Sequence, residues 1–367
     1  MQIKCSREKF SQLFALAASA IDDHNPRIVL QNIKMVAAEN RLILMATDGE
    51  LAVRFEYTGE DLSVEEPGEA LLPKRLLLKA LLLSQEKSFV LKQSDDKTSV
   101  HLGGTKHSFQ TQQLSDFPDI LPFDQGSYYK ISGKILSNMI KHTLFAADNE
   151  NSRYALGGVF FEFSEDHVSA VATDGRRLAL QEGTAEPVGT NFVQNTAVCP
   201  KKILSLLAKS LADDAEVQIA ITENKIYFQI GDLFFQSQLV GGHFPRWRSI
   251  IPTTEDKKHV DIIAGALNTA VQQAGLTTLL KEPGVVFMFS SGQLELLGVG
   301  QEVGESHVKL PISYDYDPVE IKLDPKFVAE FLNVLSAEET VAFYFAKNAP
   351  VLFQSADSYK YVIMPLT

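Results

Sequence analysis

The sequence predicts an α+β fold repeated three times in tandem, each copy having two helices and about eight mostly hairpin-connected strands in antiparallel sheets. Three recurrences in the 367 residues point there. Thr47-Asp48-Gly49 returns as Thr173-Asp174-Gly175, with a spacing of 126 residues between the aspartates. Leu72-Pro73-Lys74-Arg75 returns as Cys199-Pro200-Lys201-Lys202, 127 residues on, and as Asp324-Pro325-Lys326, a further 125 on. Phe117-Pro118 returns as Phe244-Pro245, again after 127 residues. A period of that size is a whole domain, not a solenoid unit. The copies fall at 1–126, 127–253 and 254–367.

In the first copy, residues 1–6 alternate as a strand. Arg7 to Ala20 then sets Phe10, Leu13, Phe14, Leu16 and Ala17 on one helical face, and Ser6 is placed to cap it. Asn32–Ala38 and Leu42–Thr47 are strands about a Glu39-Asn40 turn. Asp48-Gly49 is a hairpin turn, because glycine takes the positive φ that a tight turn needs, and Ala52–Tyr57 returns from it. Gly68 to Leu72 leads into a helix with Pro73 in its first turn, where a missing N–H costs nothing. Phe89–Gln93 and Ser99–Leu102 form a hairpin, Ser108–Leu114 follows, and the two prolines of 117–122 forbid regular structure.

The second copy repeats the order. Its elements are a strand at Tyr129–Ser132, a helix from Gly133 to Ala147 with Ile135, Met139, Ile140 and Leu144 inward, and strands at Gly157–Phe163 and Val168–Thr173. The Pro200 helix and strands Glu216–Ile221, Lys225–Ile230 and Leu233–Leu239 follow. The third copy is weaker. Asp261 to Leu280 reads as helix, Val285–Phe289 and Leu294–Val299 as a hairpin, and Gly298-Val299-Gly300 stands in place of Thr-Asp-Gly. The Pro325 helix and strands Thr340–Phe345, Val351–Gln354 and Tyr359–Met364 close the chain.

Composition (45% hydrophobic, 22% charged) is that of a soluble globular protein. No apolar run reaches the roughly 20 residues of a membrane span, and no basic-then-apolar leader precedes the first strand, so the expected location is cytoplasmic. Cys5 and Cys199 are then expected to be reduced and buried. The net charge of −12 alone argues against nucleic acid. Its distribution reverses that. The six helices sum to about +8, which leaves about −20 for the rest, a basic lining in an acidic body. Lys74, Arg75, Lys79, Lys141, Lys201, Lys202 and Lys209 carry that charge and are the candidate phosphate-facing residues.

Catalytic readings find little support. Asp48 and Asp174 occupy equivalent turns, which suits a structural role. Gly103-Gly104-Thr105-Lys106 lacks the phosphate-loop spacing. His101 with His107, and His243 with His259, have no metal-ligand spacing, and there is no Gly-x-Ser-x-Gly elbow. No metal or cofactor is called for.

Thr173-Asp174-Gly175-Arg176-Arg177-Leu178-Ala179, Arg153-Tyr154-Ala155-Leu156-Gly157-Gly158, Leu239-Val240-Gly241-Gly242-His243-Phe244-Pro245 and the ending Tyr361-Val362-Ile363-Met364-Pro365-Leu366 together resemble the bacterial sliding clamps, the beta subunits of DNA polymerase III. The resemblance covers the whole chain and is weakest from Asp261 to Asp317. It implies a non-catalytic processivity factor: a head-to-tail homodimer closed as a ring around duplex DNA, helices lining the hole and sheets outside, sliding without reading sequence. The implied partners are DNA, a second copy, the replicative polymerase subunit, the clamp loader and other clamp-motif proteins, with no membrane. The implied dimer joint uses Lys106, Phe109 and Thr111 of one copy with Glu302 and Glu305 of another. The implied peptide pocket uses Leu156, Thr173, Gly175, Arg176, Arg177, Leu178, Pro245, Ile250, Val362, Met364, Pro365 and Leu366, with Arg177 at its polar rim. Two positions depart from the family pattern: Arg176, and a tail without the arginine often found there. An accessory clamp with a phage, plasmid or self-resistance role is the alternative reading, prompted by the divergent third copy.

Overall fold

The computed structural model describes residues 1–94, 97–110, 113–148, 155–254, 258–278, 283–300, 303–346, 349–356 and 358–366. Among these, the first copy runs β1 (Gln2–Ser6), α1 (Arg7–Ala18), β2 (Asn32–Ala38), β3 (Arg41–Thr47), β4 (Leu51–Tyr57), β5 (Ser63–Glu66), β6 (Gly68–Pro73), α2 (Lys74–Leu83), β7 (Ser88–Ser94), β8 (Lys97–Leu102) and β9 (Thr105–Gln110). The second runs β10 (Tyr128–Ser132), α3 (Gly133–Thr143), β11 (Gly158–Ser164), β12 (His167–Thr173), β13 (Arg177–Thr184), β14 (Glu186–Val188), β15 (Thr196–Pro200), α4 (Lys201–Leu207), β16 (Glu216–Ile221), β17 (Lys225–Ile230) and β18 (Leu233–Gln238). The third runs β19 (Lys258–Ile263), α5 (Ala264–Gly275), β20 (Val285–Ser290), β21 (Gln293–Gly300), β22 (Gly304–Pro311), β23 (Val319–Leu323), α6 (Pro325–Leu332), β24 (Thr340–Phe345), β25 (Val351–Ser355) and β26 (Tyr359–Ile363). The order is the same throughout, except that no strand stands between β22 and β23 where β5 and β14 stand in the other copies.

One joint recurs in all three. The first residue of α1, α3 and α5 donates its N–H to the carbonyl just before β7, β16 and β24: Arg7 to Lys87 at 2.9 Å, Gly133 to Ala215 at 2.7 Å, Ala264 to Glu339 at 2.8 Å. A backbone carbonyl thus satisfies one of the orphan donors of a helix N-terminus. The Ser6 hydroxyl makes no capping bond, contrary to expectation.

Contacts group the chain into two units, residues 1–134 with 185–239, and 135–184 with 240–367. The middle copy is divided because each of its sheets continues into a neighbour. In the first unit β18 pairs antiparallel with β4, giving a nine-stranded sheet β14-β10-β16-β17-β18-β4-β3-β2-β6, beside a five-stranded sheet β5-β1-β7-β8-β9. In the second, β13 pairs with β26, giving the run β11-β12-β13-β26-β25-β24-β19, beside a four-stranded sheet β22-β21-β20-β23. Alternation buries one face of strands such as β17 and β21, whereas β3 and β12 are buried on both faces; aromatic residues fill the second unit's core, Phe343 stacking on Phe353 at 4.3 Å and Phe331 on Tyr361 at 5.0 Å.

Several boundaries differ from expectation. The stretch 261–280 opens as strand, because Val260 and Ile262 alternate into the core, and α5 starts only at Ala264. The helix from Gly133 gives way at Thr143 to a 3-10 turn, Leu144–Ala146, and Leu136 rather than Ile135 is fully buried. Pro73 and Pro200 are the residues just before their helices; Pro325 alone lies inside the first turn, behind an Asp324 cap whose Oδ1 accepts from the Lys326 N–H at 2.9 Å. The strand expected at Ser108–Leu114 is β9 over its described part, which starts earlier, at Thr105; Thr111 and Gln112 lie outside the described residues, and Leu114 opens a 3-10 turn. Gly298 and Gly300 are strand residues of β21, not a turn: a Cβ on either would lie 1.9 Å from the Ala274 carbonyl or 2.2 Å from that of Thr277, so glycine lets α5 sit close on the sheet. Cys5 and Cys199 are buried free thiols, and burial pushes the Cys5 thiol up to about 12.

Candidate functional site

Both Thr-Asp-Gly turns are built alike. The threonine Oγ1 accepts the glycine N–H (Gly49 at 3.0 Å, Gly175 at 3.1 Å) and donates to the carbonyl four residues on (Leu51 at 2.7 Å, Arg177 at 2.5 Å). The aspartate Oδ1 accepts the next two N–H groups, those of Glu50 and Leu51 in the first copy and Arg176 and Arg177 in the second. These are Asx turns, and the glycines supply φ of +107° and +87°. The turn role expected for Asp48 and Asp174 is what the geometry gives. In each, Oδ2 is left for another partner: Lys202 for Asp48, and Arg177 Nε at 3.0 Å for Asp174.

Beyond the second turn, β13 alternates. Leu178 and Leu180 face one side and pack with Val171, Trp247, Leu352 and Val362, flanked by Phe160, Phe244, Ile250, Ile251 and Tyr344. Phe160 and Phe244 stack at 4.8 Å, and Arg248 lies 4.2 Å over the Trp247 ring while pairing with Glu162 at 2.8 Å. The register opposes Leu178 to Val362, and the Met364 N–H continues the pairing to the Arg176 carbonyl at 2.9 Å. Leu178 and Val362 are floor rather than wall, each 1% exposed. Ile250, Pro245, Pro365 and Leu366 are half-buried, and Gly175, Arg176 and Met364 are exposed. Leu156 is buried, its carbonyl accepting the Asp148 N–H at 2.9 Å. Arg153 and Tyr154 of the same motif lie outside the described residues.

Arg177 is not at a rim. Being odd-numbered on β13, it points away from Leu178, and a strand permits nothing else. Its guanidinium meets Asp174, Glu330, the Phe145 carbonyl (2.8 Å) and the Tyr361 hydroxyl (3.4 Å), and lies 4.4 Å over the Phe327 ring. Burial alone would favour losing its proton; Tyr361 and Glu330 outweigh that and hold it charged. Burial likewise raises the Tyr361 phenol. Sequence reasoning missed Trp247, Phe160, Phe244, Ile251 and Tyr344 as parts of this apolar site. The single Trp, beside the repeated Phe-Pro, was the available signal.

The basic candidates lie on or beside helices. Arg75, Lys79, Lys141, Lys202 and Lys209 are exposed, Lys201 is half-buried, and Lys209 lies just past the end of α4. Lys74 is 16% exposed; it pairs with Asp23 at 2.9 Å, a hydrogen bond that holds the Asp23 carboxyl below the usual range. Lys202 is spoken for by Asp48. Lys74 and Lys202 therefore each carry a local counter-charge.

Of the joint candidates, Lys106 and Phe109 lie on β9, the last strand of its sheet, and Glu305 on β22, the last strand of another. Thr111 and Glu302 lie outside the described residues. Beside β9 a cavity of about 610 Å³ is lined by Leu76, Lys79, Leu83, Leu102, His107 and Phe109, and Leu76, Leu82 and Leu83 are exposed. Among the described residues near β22, Leu276, Val299 and Val303 are exposed. Among the described residues no three His, Cys, Asp or Glu side chains gather as a metal-binding group, and no helix is long and apolar enough to cross a membrane.

Three family models match in order: the N-terminal domain of the DNA polymerase III beta subunit over residues 1–122, its central domain over 130–246 and its C-terminal domain over 248–367. The beta sliding clamp of Pseudomonas putida is 26% identical over 373 residues, covering 100% of both chains. That of Escherichia coli is 26% identical over 340 residues, 89% of this chain and 91% of its own. Among solved structures, the sliding clamp (DNA polymerase III subunit beta) of Pseudomonas aeruginosa bound to griselimycin superposes with a TM-score of 0.93 at 26% identity, covering 100% of this chain and 99% of that one. The DNA polymerase sliding clamp of Bacillus subtilis shares the fold, with a TM-score of 0.91 at 20% identity.

Proposed function

The chain belongs to the DNA polymerase III beta-subunit family, and from that premise we propose how its surfaces serve a processivity clamp. The observation that carries the reading is the ordered match of all three domain models from one end of the chain to the other. Two copies join head to tail, encircle duplex DNA and tether the replicative polymerase without catalysing a reaction themselves. The work is cytoplasmic. The domains run 1–126, 127–253 and 254–367.

Duplex DNA meets Lys74, Arg75, Lys79, Lys141, Lys201, Lys202 and Lys209, and Asp23 and Asp48 offset part of the charge of Lys74 and Lys202 in place. Contacts of this kind go to phosphates and leave sequence unread. The joint pairs β9 of one copy with β22 of the next. Both are unpaired sheet edges, which associate readily when apolar residues flank them, and Leu82 and Leu83 on one side suit Leu276 and Val303 on the other. The apolar site around Leu178, Trp247, Ile250 and Val362 receives the linear motif of polymerase, clamp loader and repair partners. Its rim is Arg176 and Met364, both exposed, while Arg177 holds the floor in place from behind.

Light scattering tests the assembly: a mass near twice 40.6 kDa is expected, and a persistent monomer at micromolar concentration refutes the joint. A primer-extension assay with loader and polymerase tests the function. Product length should increase when the chain is added, and should lose that increase when Arg75, Lys79 and Lys209 are all replaced by glutamate.

A further inference from the structure

The three copies provide their own control for a missing strand. In the first, β1 lies between β7 and β5; in the second, β10 lies between β16 and β14. In the third, among the described residues, β19 pairs with β24 and ends its sheet. The segment that should cover it, 312–316, is tied elsewhere: the Ile312 N–H donates to the Gly292 carbonyl at 3.1 Å, and the Gly292 N–H to the Tyr314 carbonyl at 3.0 Å. Tyr314 is itself buried against Phe289 and Phe345. Two cavities, of about 730 and 400 Å³, lie between β19 and this segment. They share Asp261, Ile312 and Ser313.

The edge presents usable backbone. Ala264 N–H bonds to Glu339 on the β24 side, so by the two-residue alternation of an antiparallel ladder His259, Asp261 and Ile263 turn their N–H and C=O groups to the open side. The charge at this edge is reversed relative to the other copies. Counting back from the helix start, Asp261 stands where Lys4 and Lys130 stand. Those lysines face acidic covering strands: Lys4 pairs with Ser63 of Ser63-Val64-Glu65-Glu66, and Lys130 with Glu186. At the third edge Asp261 and Asp315 are exposed. In the register centred on Asp261, a second β19 would set Asp261 against Asp261, which disfavours that self-pairing.

We propose that the β19 edge binds an extended segment of a partner protein by strand addition, with a basic side chain opposite Asp261 and apolar neighbours over Ile263. Main-chain bonds to Asp261 and Ile263 supply affinity and the Asp261 charge supplies selectivity. This surface is separate from the apolar site around Leu178, and its test does not depend on the clamp reading.

The probe is a fluorescein-labelled, end-blocked heptapeptide alternating Val and Lys, titrated against the full-length chain by anisotropy, with hydrogen exchange read at Asp261 and Ile263. Binding with added protection at those two amides is expected. Ile263→Pro removes one outward N–H and no ladder bond, and φ of −69° at Ile263 already suits proline. It should weaken binding roughly five-fold or more, by loss of one hydrogen bond and its neighbours, while Ile263→Val, which keeps the N–H, should weaken it far less. Asp261→Lys should lose the Val–Lys peptide and gain its Val–Glu counterpart. Equal binding by wild type and Ile263→Pro, no binding at millimolar peptide, or indifference to the charge swap overturns the proposal. So does self-association that Ile263→Pro abolishes, because the occupant would then be a second copy.

Discussion

Replacing Arg177 by methionine separates a buried tether from a binding rim. Its side chain is 7% exposed, and its partners Asp174 and Glu330 are 18% and 32% exposed. Removing one member of a buried pair leaves the other uncompensated and costs about 3–5 kcal/mol. Two features reduce that here. Asp174 keeps two backbone N–H bonds through its other oxygen, and Glu330 is near enough to water to be resolvated. Losing the stack over Phe327 adds back about 1 kcal/mol. The expected loss is therefore about 2–4 kcal/mol, with the unpaired Phe145 carbonyl part of it. Urea unfolding of Arg177→Met measures it, and a double-mutant cycle with Glu330→Gln should show coupling of about 1–2 kcal/mol. Arg177→Lys should recover only part, since an ammonium cannot reach all four partners. A loss below about 1 kcal/mol together with a large fall in peptide affinity would put Arg177 back at the rim and refute the tether.

Four further outcomes follow from the same geometry. Burial holds His142 below its ordinary value despite the hydrogen bond it donates from Nδ1 to Gln181 Oε1 at 2.7 Å; the unfolded chain then binds the extra proton first, so stability falls as pH drops through about 6.5, by at most about 1.4 kcal/mol per pH unit. His142→Phe, which keeps the stack on Tyr359, should remove that part of the urea-midpoint difference between pH 7 and pH 5.5. Gly298→Ala drives a Cβ into the Ala274 carbonyl and should cost about 1–3 kcal/mol, read as a lower Tm. Deleting Met364 to Thr367 removes the backbone bonds Met364 makes to Arg176 and Leu366 to Lys322; binding of a clamp-motif peptide should be lost with the far-ultraviolet spectrum unchanged, and retained affinity would misplace the pocket. Replacing Lys201 and Lys202 by Glu should shorten the products of processive synthesis and leave the oligomeric mass as it was.

The fold was legible wherever periodicity and punctuation agreed. The Thr-Asp-Gly turns, the Pro-Lys helices and the hairpin about Glu39-Asn40, whose φ values are +47° and +59°, all stand where residue pattern put them. The third copy was harder to read because Lys258–Ile263 and the α5 residues form one continuous apolar-rich stretch, in which strand and helix periods cannot be told apart without the partner strand. The apolar cluster about Leu178 was legible in part. Leu178, Val362 and Ile250 come together, but Phe160 and Tyr344 enter through tertiary packing that no local spacing reports. Arg177 was misread although its parity against Leu178 was already in the sequence.

The two Asp turns show how one local device acquires two uses. Each spends Thr Oγ1 and Asp Oδ1 on its own backbone, so each needs no outside support to hold its shape. That leaves Oδ2 free to take a cation without disturbing the hairpin. In the first copy it takes Lys202 from α4 and so removes one charge from the basic helices. In the second it takes Arg177, three residues along the same chain, and the guanidinium extends the link to Glu330 on α6 and Tyr361 on β26. The strand carrying Leu178 is thereby fixed from its far face. The floor of the apolar site is thus held from behind, while Arg176 and Met364 stay exposed at its edge.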